Sequence, residues 1–400
     1  MSTKYLILIG DGMADRPLAQ LQGRTSLEAA HTPNLDRLAR QGCLGLVKTI
    51  PDGFTPGSDV ANLAVLGYPA AEFYTGRAPL EAANIGVQLQ PGEVAYRCNL
   101  VALANQDGQV IMRDFSAGHI DTNSARQLIK TLDEQLGGDQ VRFYAGTSYR
   151  HLMVWRNGKE QIQCTPPHDI SGQQIGQYLP QGDGVDFLAD LMQRSQKIMI
   201  NHPANLERRR QGKLSADSIW LWGQGRAPQL PTLKQRYGLH GALISAVDLL
   251  KGIGIYLGLT VINVPGATGY LDTNYAGKAQ AAIDALNDHD FVYLHLEAPD
   301  EAGHSGDLNA KIEAIEAFDQ KIVAPVLQHL ELRGDFHLLI MPDHATPVSI
   351  KTHSAEPVPF ILYPQIPAGK SGGGYNEKEA EKTGVFVDDG CRIIHWLLGR

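Results

Sequence analysis

Short, nearly continuous apolar runs recur along the chain: YLILIG (5–10), LTVINV (259–264), FVYLHL (291–296), FHLLIM (336–341) and PFILYP (359–364). They lack the alternation of a strand with one wet face and fit buried parallel strands covered by helices on both sides. Helical segments lie between them. In HTPNLDRLARQG, Thr32 can cap, Pro33 suits the first turn, Leu35, Leu38 and Ala39 form a stripe, and Gly42 can end the helix. In DLNAKIEAIEAFDQKIVAPVL, Asp307 can cap, with Leu308, Ile312, Ile315, Ile322 and Val326 near one face. Strands alternating with helices predict an α/β fold: an open, mostly parallel sheet flanked by helices.

The middle of the chain reads differently. Between about Val87 and Lys213 the strand candidates VAYRCNLVAL, QVRFYAG and RHLMVW alternate more and carry charges. A smaller α+β domain over 87–213 is therefore expected, inserted into an α/β domain built from 1–86 and 214–400, with WGQGRAPQLPTL (222–233) as the loop leading back. At 400 residues the chain is long enough for two or three domains.

A net charge of −8 argues against a nucleic-acid-binding surface, and the basic run Arg208-Arg209-Arg210 reads as a solvated helix face. Cys43, Cys98, Cys164 and Cys391 are far apart, without a C-x-x-C pair, and read as free thiols in a reducing compartment. The N-terminal apolar run meets Asp11 too soon for a signal peptide, and no stretch reaches the roughly 20 apolar residues that span a bilayer. A cytoplasmic protein without a membrane partner is expected.

Acidic, His and Ser residues gather at strand ends and helix starts. Asp11 follows the first strand between two glycines; a dinucleotide loop would need its third glycine where Asp15 stands. Ser58 follows Pro56-Gly57 at the start of a helix. Such a serine is a plain N-cap, or it is a nucleophile that a base or metal must activate, beside amides that favour a phosphate. Asp300 and His304 follow FVYLHL at a spacing that shares one helical face, as half a metal site or as a capping Asp and an exposed His. Asp343 and His344 follow FHLLIM, with His353 nine residues further on. Adjacent hydrated side chains are costly to bury without a partner, and a divalent cation would supply one.

These stretches resemble the alkaline phosphatase superfamily of two-metal phosphoryl-transfer enzymes, and within it the cofactor-independent (2,3-bisphosphoglycerate-independent) phosphoglycerate mutases of the archaeal type. The resemblance runs through LIGDGMADRP, HTPNLDRLA, PGSDVANLAVLGY, YTGRAPLEAANIG, RCNL, SIWLWGQG, VPGATGYLDTNYAGKA, EAPDEAGHSGD and DHATPVSIKTHSAEPVP. It implies one metal held by Asp11, Ser58, Asp343 and His344, and a second held by Asp300, His304 and His353. Ser58 would be the nucleophile, phosphorylated during turnover. The ions would be manganese, with magnesium, cobalt or zinc as alternatives that the donor set cannot distinguish. Two cations about 3.5–4 Å apart can activate a serine and clamp phosphoryl oxygens.

Metals and a serine alone make a phosphatase. A mutase moving phosphate between the 3- and 2-hydroxyls of glycerate must also hold the departed acid. The insertion is the expected source of that grip, through Arg97, Arg113, Arg150 and Arg226, with His119 as a further contact or proton shuttle. The substrate would be a small phosphorylated hydroxy acid. The alternatives are a metal-dependent phosphotransferase or phosphatase on another small phosphorylated metabolite, such as a homoserine-kinase-like activity, and a metal-stabilised scaffold without a phosphoenzyme. A sulfatase reading fails because Asp-Val-Ala follows Ser58 where that group needs Pro-x-Arg.

Overall fold

The computed structural model describes residues 3–366 and 369–400. Its strands, in chain order, are β1 (Lys4–Gly10), β2 (Cys43–Val47), β3 (Glu93–Gln106), β4 (Gln109–Asp114), β5 (Val141–Thr147), β6 (Arg150–Arg156), β7 (Ser218–Gly225), β8 (Gly241–Ile244), β9 (Thr260–Ile262), β10 (Phe291–Leu296), β11 (Phe336–Met341), β12 (Val358–Tyr363) and β13 (Phe386–Val387). The chain forms two compact units, Met1–Tyr74 with Gln229–Arg400, and Thr75–Pro228.

In the first unit, β1 lies inside the sheet because it is apolar on both faces: Leu6, Ile7, Leu8 and Ile9 are fully buried, each contributing about 1.5–3 kcal/mol relative to exposure. The strand order is β13-β2-β12-β11-β1-β10-β8-β9. β11, β1, β10, β8 and β9 run parallel. Leu6 and Leu8 belong to a core with Leu35, Leu38, Leu286, Phe318, Ile322 and Val323.

Three details differ from expectation. PFILYP forms β12 but runs antiparallel to both β11 and β2. A parallel neighbour needs a long crossover, usually helical, whereas residues 342–357 return without a helix. LTVINV is not a buried strand; it contributes only the three-residue edge strand β9, partly exposed. Thr32 precedes the helix Pro33–Gln41 but makes no side-chain cap. The buried Asp319 carboxylate instead accepts from the amides of Leu35 (2.8 Å) and Asn34 (3.4 Å).

The second unit is an antiparallel sheet in the order β4-β3-β6-β5, with β7 also paired to β3. It extends beyond 87–213 at both ends. WGQG lies within β7, bonded along β3, so the loop begins only after Gly225. The helix Arg77–Asn84 belongs here too, through the Glu81 carboxylate 2.8 Å from Arg97 Nε. Arg208 is not solvated: it is buried, donating to Leu214 O and Ala117 O. All four cysteines are free. No helix among the described residues is long and apolar enough to cross a membrane.

His151 of β6 is buried; its Nδ1 accepts from Gly146 N at 3.0 Å, and burial pushes its pKa from 6.5 down to about 3. Below pH 6.5 the unfolded chain binds a proton that folded His151 refuses, so stability falls as pH drops toward 3. At pH 5 this costs about 2 kcal/mol. His151→Gln, which keeps an acceptor for Gly146, is expected to flatten that part of the slope in urea melts at pH 7 and pH 5. Parallel slopes in the two proteins would count against the assignment.

Candidate metal centre

Because β11, β1 and β10 are parallel neighbours, their carboxyl ends open on one rim. Asp11 follows β1, and Asp343 and His344 follow β11. Asp300 and His304 lie on the helix Ala298–Ser305 after β10, whose i, i+4 spacing sets them on one face. His304 Nε2 is 3.2 Å and His353 Nε2 3.5 Å from the Asp300 carboxylate, and the two imidazole nitrogens are 3.0 Å apart. His344 Nε2 is 3.4 Å from Asp11 Oδ1 and 3.6 Å from Asp343 Oδ2. Ser58 opens the helix Ser58–Val65 and does not cap it; its Oγ lies 3.1 Å from His344 Nε2.

Among the described residues, three groupings bring donor atoms within 4.8 Å of one another: Asp300, His304 and His353; Asp11, Asp300 and His344; and Asp11, His295 and Asp343. The electrostatics of this rim are those of a site short of positive charge. Burial, then Asp343 and Asp300, holds Asp11 well above the usual carboxylate range. Burial acts the same way on Asp300, but hydrogen bonds from His304 and His353 outweigh it and hold that carboxyl well below its ordinary value. Burial opposes the charged form of His304 as well, yet Asp300 raises it to about 9. His344 is lowered by burial. Asp11 Oδ1 and His295 Nε2 are buried without a hydrogen-bond partner among the described residues, although His295 Nε2 is 3.0 Å from Asp11 Oδ2. Buried polar atoms rarely stay unpartnered, and a divalent cation among these oxygen and nitrogen donors fits them.

His295, Asn62 and Thr346 join the site without having been marked in the sequence. His295 pairs in register with Ile9, so it shares the sheet face of Asp11 two residues on. Its one sequence signal is an imidazole within an apolar strand; burial pushes it down to about 4. Asn62 Nδ2 bridges Ser58 O and Asp343 Oδ2, both at 2.7 Å, while its Oδ1 accepts from Tyr293. Thr346 Oγ1 donates to Asp300 Oδ1. Gly12 explains the Asp-Gly at the end of β1: its φ is +62°, and a Cβ there would lie 2.7 Å from Asp300 Oδ1.

Behind the rim, Lys311 is fully buried and donates to Thr346 O (2.7 Å) and Ala14 O (3.1 Å), with Asp15 Oδ2 at 3.4 Å. Asp15 is bound in turn by Ser26 and, through its amide, by Glu377. Lys311→Met removes the cation and leaves a carboxylate and two carbonyls short of a donor. Urea melts are expected to show a loss of about 3–5 kcal/mol. A loss under about 1 kcal/mol would mean that the pocket holds its polar groups without the ammonium.

The expected substrate contacts all fall in the second unit. Arg97 is buried, its guanidinium 4.2 Å from the Trp222 ring centroid. Arg226 Nε is 2.9 Å from Glu160 Oε1. Arg113 is exposed on β4. His119 and Arg150 come together on Tyr149, at 6.0 and 5.4 Å from its ring centroid.

An open α/β sheet with a serine, carboxylates and imidazoles on its rim has the architecture of a metal-assisted group-transfer enzyme. A family model described as 2,3-bisphosphoglycerate-independent phosphoglycerate mutase matches residues 39–205. A Geobacter sulfurreducens protein named as a probable 2,3-bisphosphoglycerate-independent phosphoglycerate mutase is 51% identical over 398 residues, 99% of this chain and 100% of that protein. The Methanosarcina acetivorans protein of that name is 53% identical over 383 residues, covering 95% and 96% of the two chains. Among solved structures, the PH0037 protein from Pyrococcus horikoshii superposes with a TM-score of 0.82 at 29% identity, covering 100% of this chain and 97% of that one. The cofactor-independent phosphoglycerate mutase from Thermoplasma acidophilum shares the fold, with a TM-score of 0.64 at 24% identity over 100% and 99% of the chains. The chain belongs to the 2,3-bisphosphoglycerate-independent phosphoglycerate mutase family and is an enzyme of that family.

Proposed function

We propose that this enzyme interconverts 3-phosphoglycerate and 2-phosphoglycerate through a phosphoserine at Ser58. The observation that carries the reading is the Ser58 hydroxyl, released from any capping role and 3.1 Å from His344 Nε2 among the buried carboxylates. Asp11, Ser58, Asp343 and His344 would hold one divalent ion, and Asp300, His304 and His353 the other, with manganese first among magnesium, cobalt and zinc. When bound, such ions lower the pKa of a hydroxyl and offset charge on phosphoryl oxygens.

The chain's own groups do the rest. The start of the helix Ser58–Val65 offers free amides and a positive dipole end to an incoming phosphate. Asn62 fixes the Ser58 backbone and orients Asp343, so the hydroxyl is held before substrate arrives. In the first transfer the Ser58 oxygen gives up its proton and bonds to phosphorus as the bond to the 3-hydroxyl oxygen breaks, and that oxygen takes up a proton, so the step is neutral in protons. The reverse sequence at the 2-hydroxyl restores the serine.

Rapid quenching with 3-phosphoglycerate and Mn2+, followed by peptide mass spectrometry, should find phosphate on Ser58. Formation of 2-phosphoglycerate with phosphate never on Ser58 would overturn the mechanism. Counting inorganic phosphate against 2-phosphoglycerate in the same samples separates a mutase from a phosphatase.

A further inference from the structure

Thr346 stands two residues past His344 and is fully buried. Its backbone is held fast. The amide donates to Ala14 O at 3.3 Å, and the carbonyl accepts from Lys311 Nζ at 2.7 Å. The same ammonium reaches Ala14 O at 3.1 Å, so Lys311 staples the segment after β11 to the segment after β1. Two glycines make room for the threonine. A Cβ on Gly303 would lie 2.5 Å from Thr346 O, and one on Gly12 would lie 2.5 Å from Thr346 Oγ1.

The hydroxyl meets two groups. Oγ1 donates to Asp300 Oδ1, and His344 Nδ1 is 3.3 Å away on its other side. A hydroxyl has one proton and two lone pairs, whereas an ionised carboxylate only accepts. With its proton on the Asp300 bond, Oγ1 can only accept from His344, so Nδ1 must carry a proton. A neutral imidazole has a single N–H. Nε2 is then left with its lone pair, and Nε2 is the atom 3.1 Å from Ser58 Oγ and 3.4 Å from Asp11 Oδ1.

We propose that Thr346 is a positioning residue for both ion sites: its hydroxyl orients the Asp300 carboxylate toward one ion and holds His344 in the Nδ1–H form, with Nε2 bare, for the other. The inference rests on the two-ion part of the proposed function and is independent of the substrate. Groups that hold a metal's ligands in place change its affinity by about ten- to hundredfold. Here one hydroxyl serves a ligand of each ion, so loss of that hydroxyl weakens the two sites together. In the metal-free enzyme the same tautomer lets Nε2 accept a hydrogen bond from the Ser58 hydroxyl.

Calorimetric titration of the full enzyme with Mn2+ tests this. Thr346→Val keeps the shape and removes the hydroxyl, and is expected to weaken Mn2+ binding at both sites about ten- to hundredfold. Thr346→Ser keeps the hydroxyl and loses the methyl. It should bind Mn2+ like the wild type, whatever happens to its melting temperature. Wild-type affinity in Thr346→Val would overturn the inference, as would weakening at one site only. A serine variant as weak as the valine one would also overturn it, by making methyl packing the cause. Should Thr346→Val not fold, the imidazole nitrogen NMR shifts of the metal-free wild type decide, with His344 assigned by the signal lost in His344→Gln. A protonated Nδ1 supports the inference and a bare Nδ1 overturns it. A wild type that takes up no Mn2+ sinks the two-ion reading and this inference with it, whereas equal uptake by wild type and Thr346→Val sinks only the role of Thr346.

Discussion

Ser58→Ala is expected to lower turnover of 3-phosphoglycerate to 2-phosphoglycerate by roughly a million-fold, the scale of losing a nucleophile outright. The fold should survive. Gly57 already occupies the cap position of the helix Ser58–Val65, and the Ser58 side chain makes no cap bond. The contact that seats this residue is the Asn62 amide on the Ser58 carbonyl, which alanine keeps. What the variant loses is the hydroxyl's contact with His344, about 1 kcal/mol. Steady-state assays and a circular-dichroism melt on one preparation test both halves. Turnover surviving in a well-folded variant would place the nucleophile elsewhere; turnover lost together with the melt would make Ser58 structural. Because Asn62 also bonds Asp343, Asn62→Ala should fall between the two, keeping the nucleophile but loosening its placement.

The residues legible in the sequence were those at strand ends. A buried parallel strand is apolar until it stops, so Asp11, Asp343-His344 and Asp300 are conspicuous where they come after one. His295 obeys the opposite logic. It sits within the apolar run of β10, and its meaning depends on register with β1, which no single strand encodes. Asn62 is similarly hidden, buried in the helix that Ser58 opens and identified only by what its two ends touch. Arg208 has the composition of a solvated residue and becomes a buried clamp because Ala117 O comes to it from a distant segment, beside Leu214 O from the turn just after its own helix. The direction of β12 depends on the connection before it, not on its own six residues. The same holds for the edges of the second unit: β7 is assigned by its partner β3, so a boundary drawn from local composition falls short.

Asp11→Asn should move stability in opposite directions with and without metal. In the metal-free protein Asp11 is held well above the ordinary carboxylate range, by burial first and then by Asp343 and Asp300. A carboxyl whose folded pKa lies above its unfolded one weakens the fold at neutral pH, where the unfolded chain ionises freely and the folded chain cannot. That penalty shrinks as pH falls through the folded value and is gone below the unfolded one, near 4. Removing the charge while keeping the shape should therefore stabilise the metal-free enzyme at pH 7 by about 1–3 kcal/mol, and by little at pH 4. With Mn2+ the order reverses. At a hundred times Kd, binding adds about 2.7 kcal/mol to the wild type, and the variant, deprived of a donor shared by two of the three candidate groupings, should lose most of that gain. Four melts, each protein with chelator and with Mn2+, read the crossing directly. Its absence, with Asp11→Asn destabilised under both conditions, would make Asp11 a structural carboxylate whose partner is His295, 3.0 Å away, and not an ion.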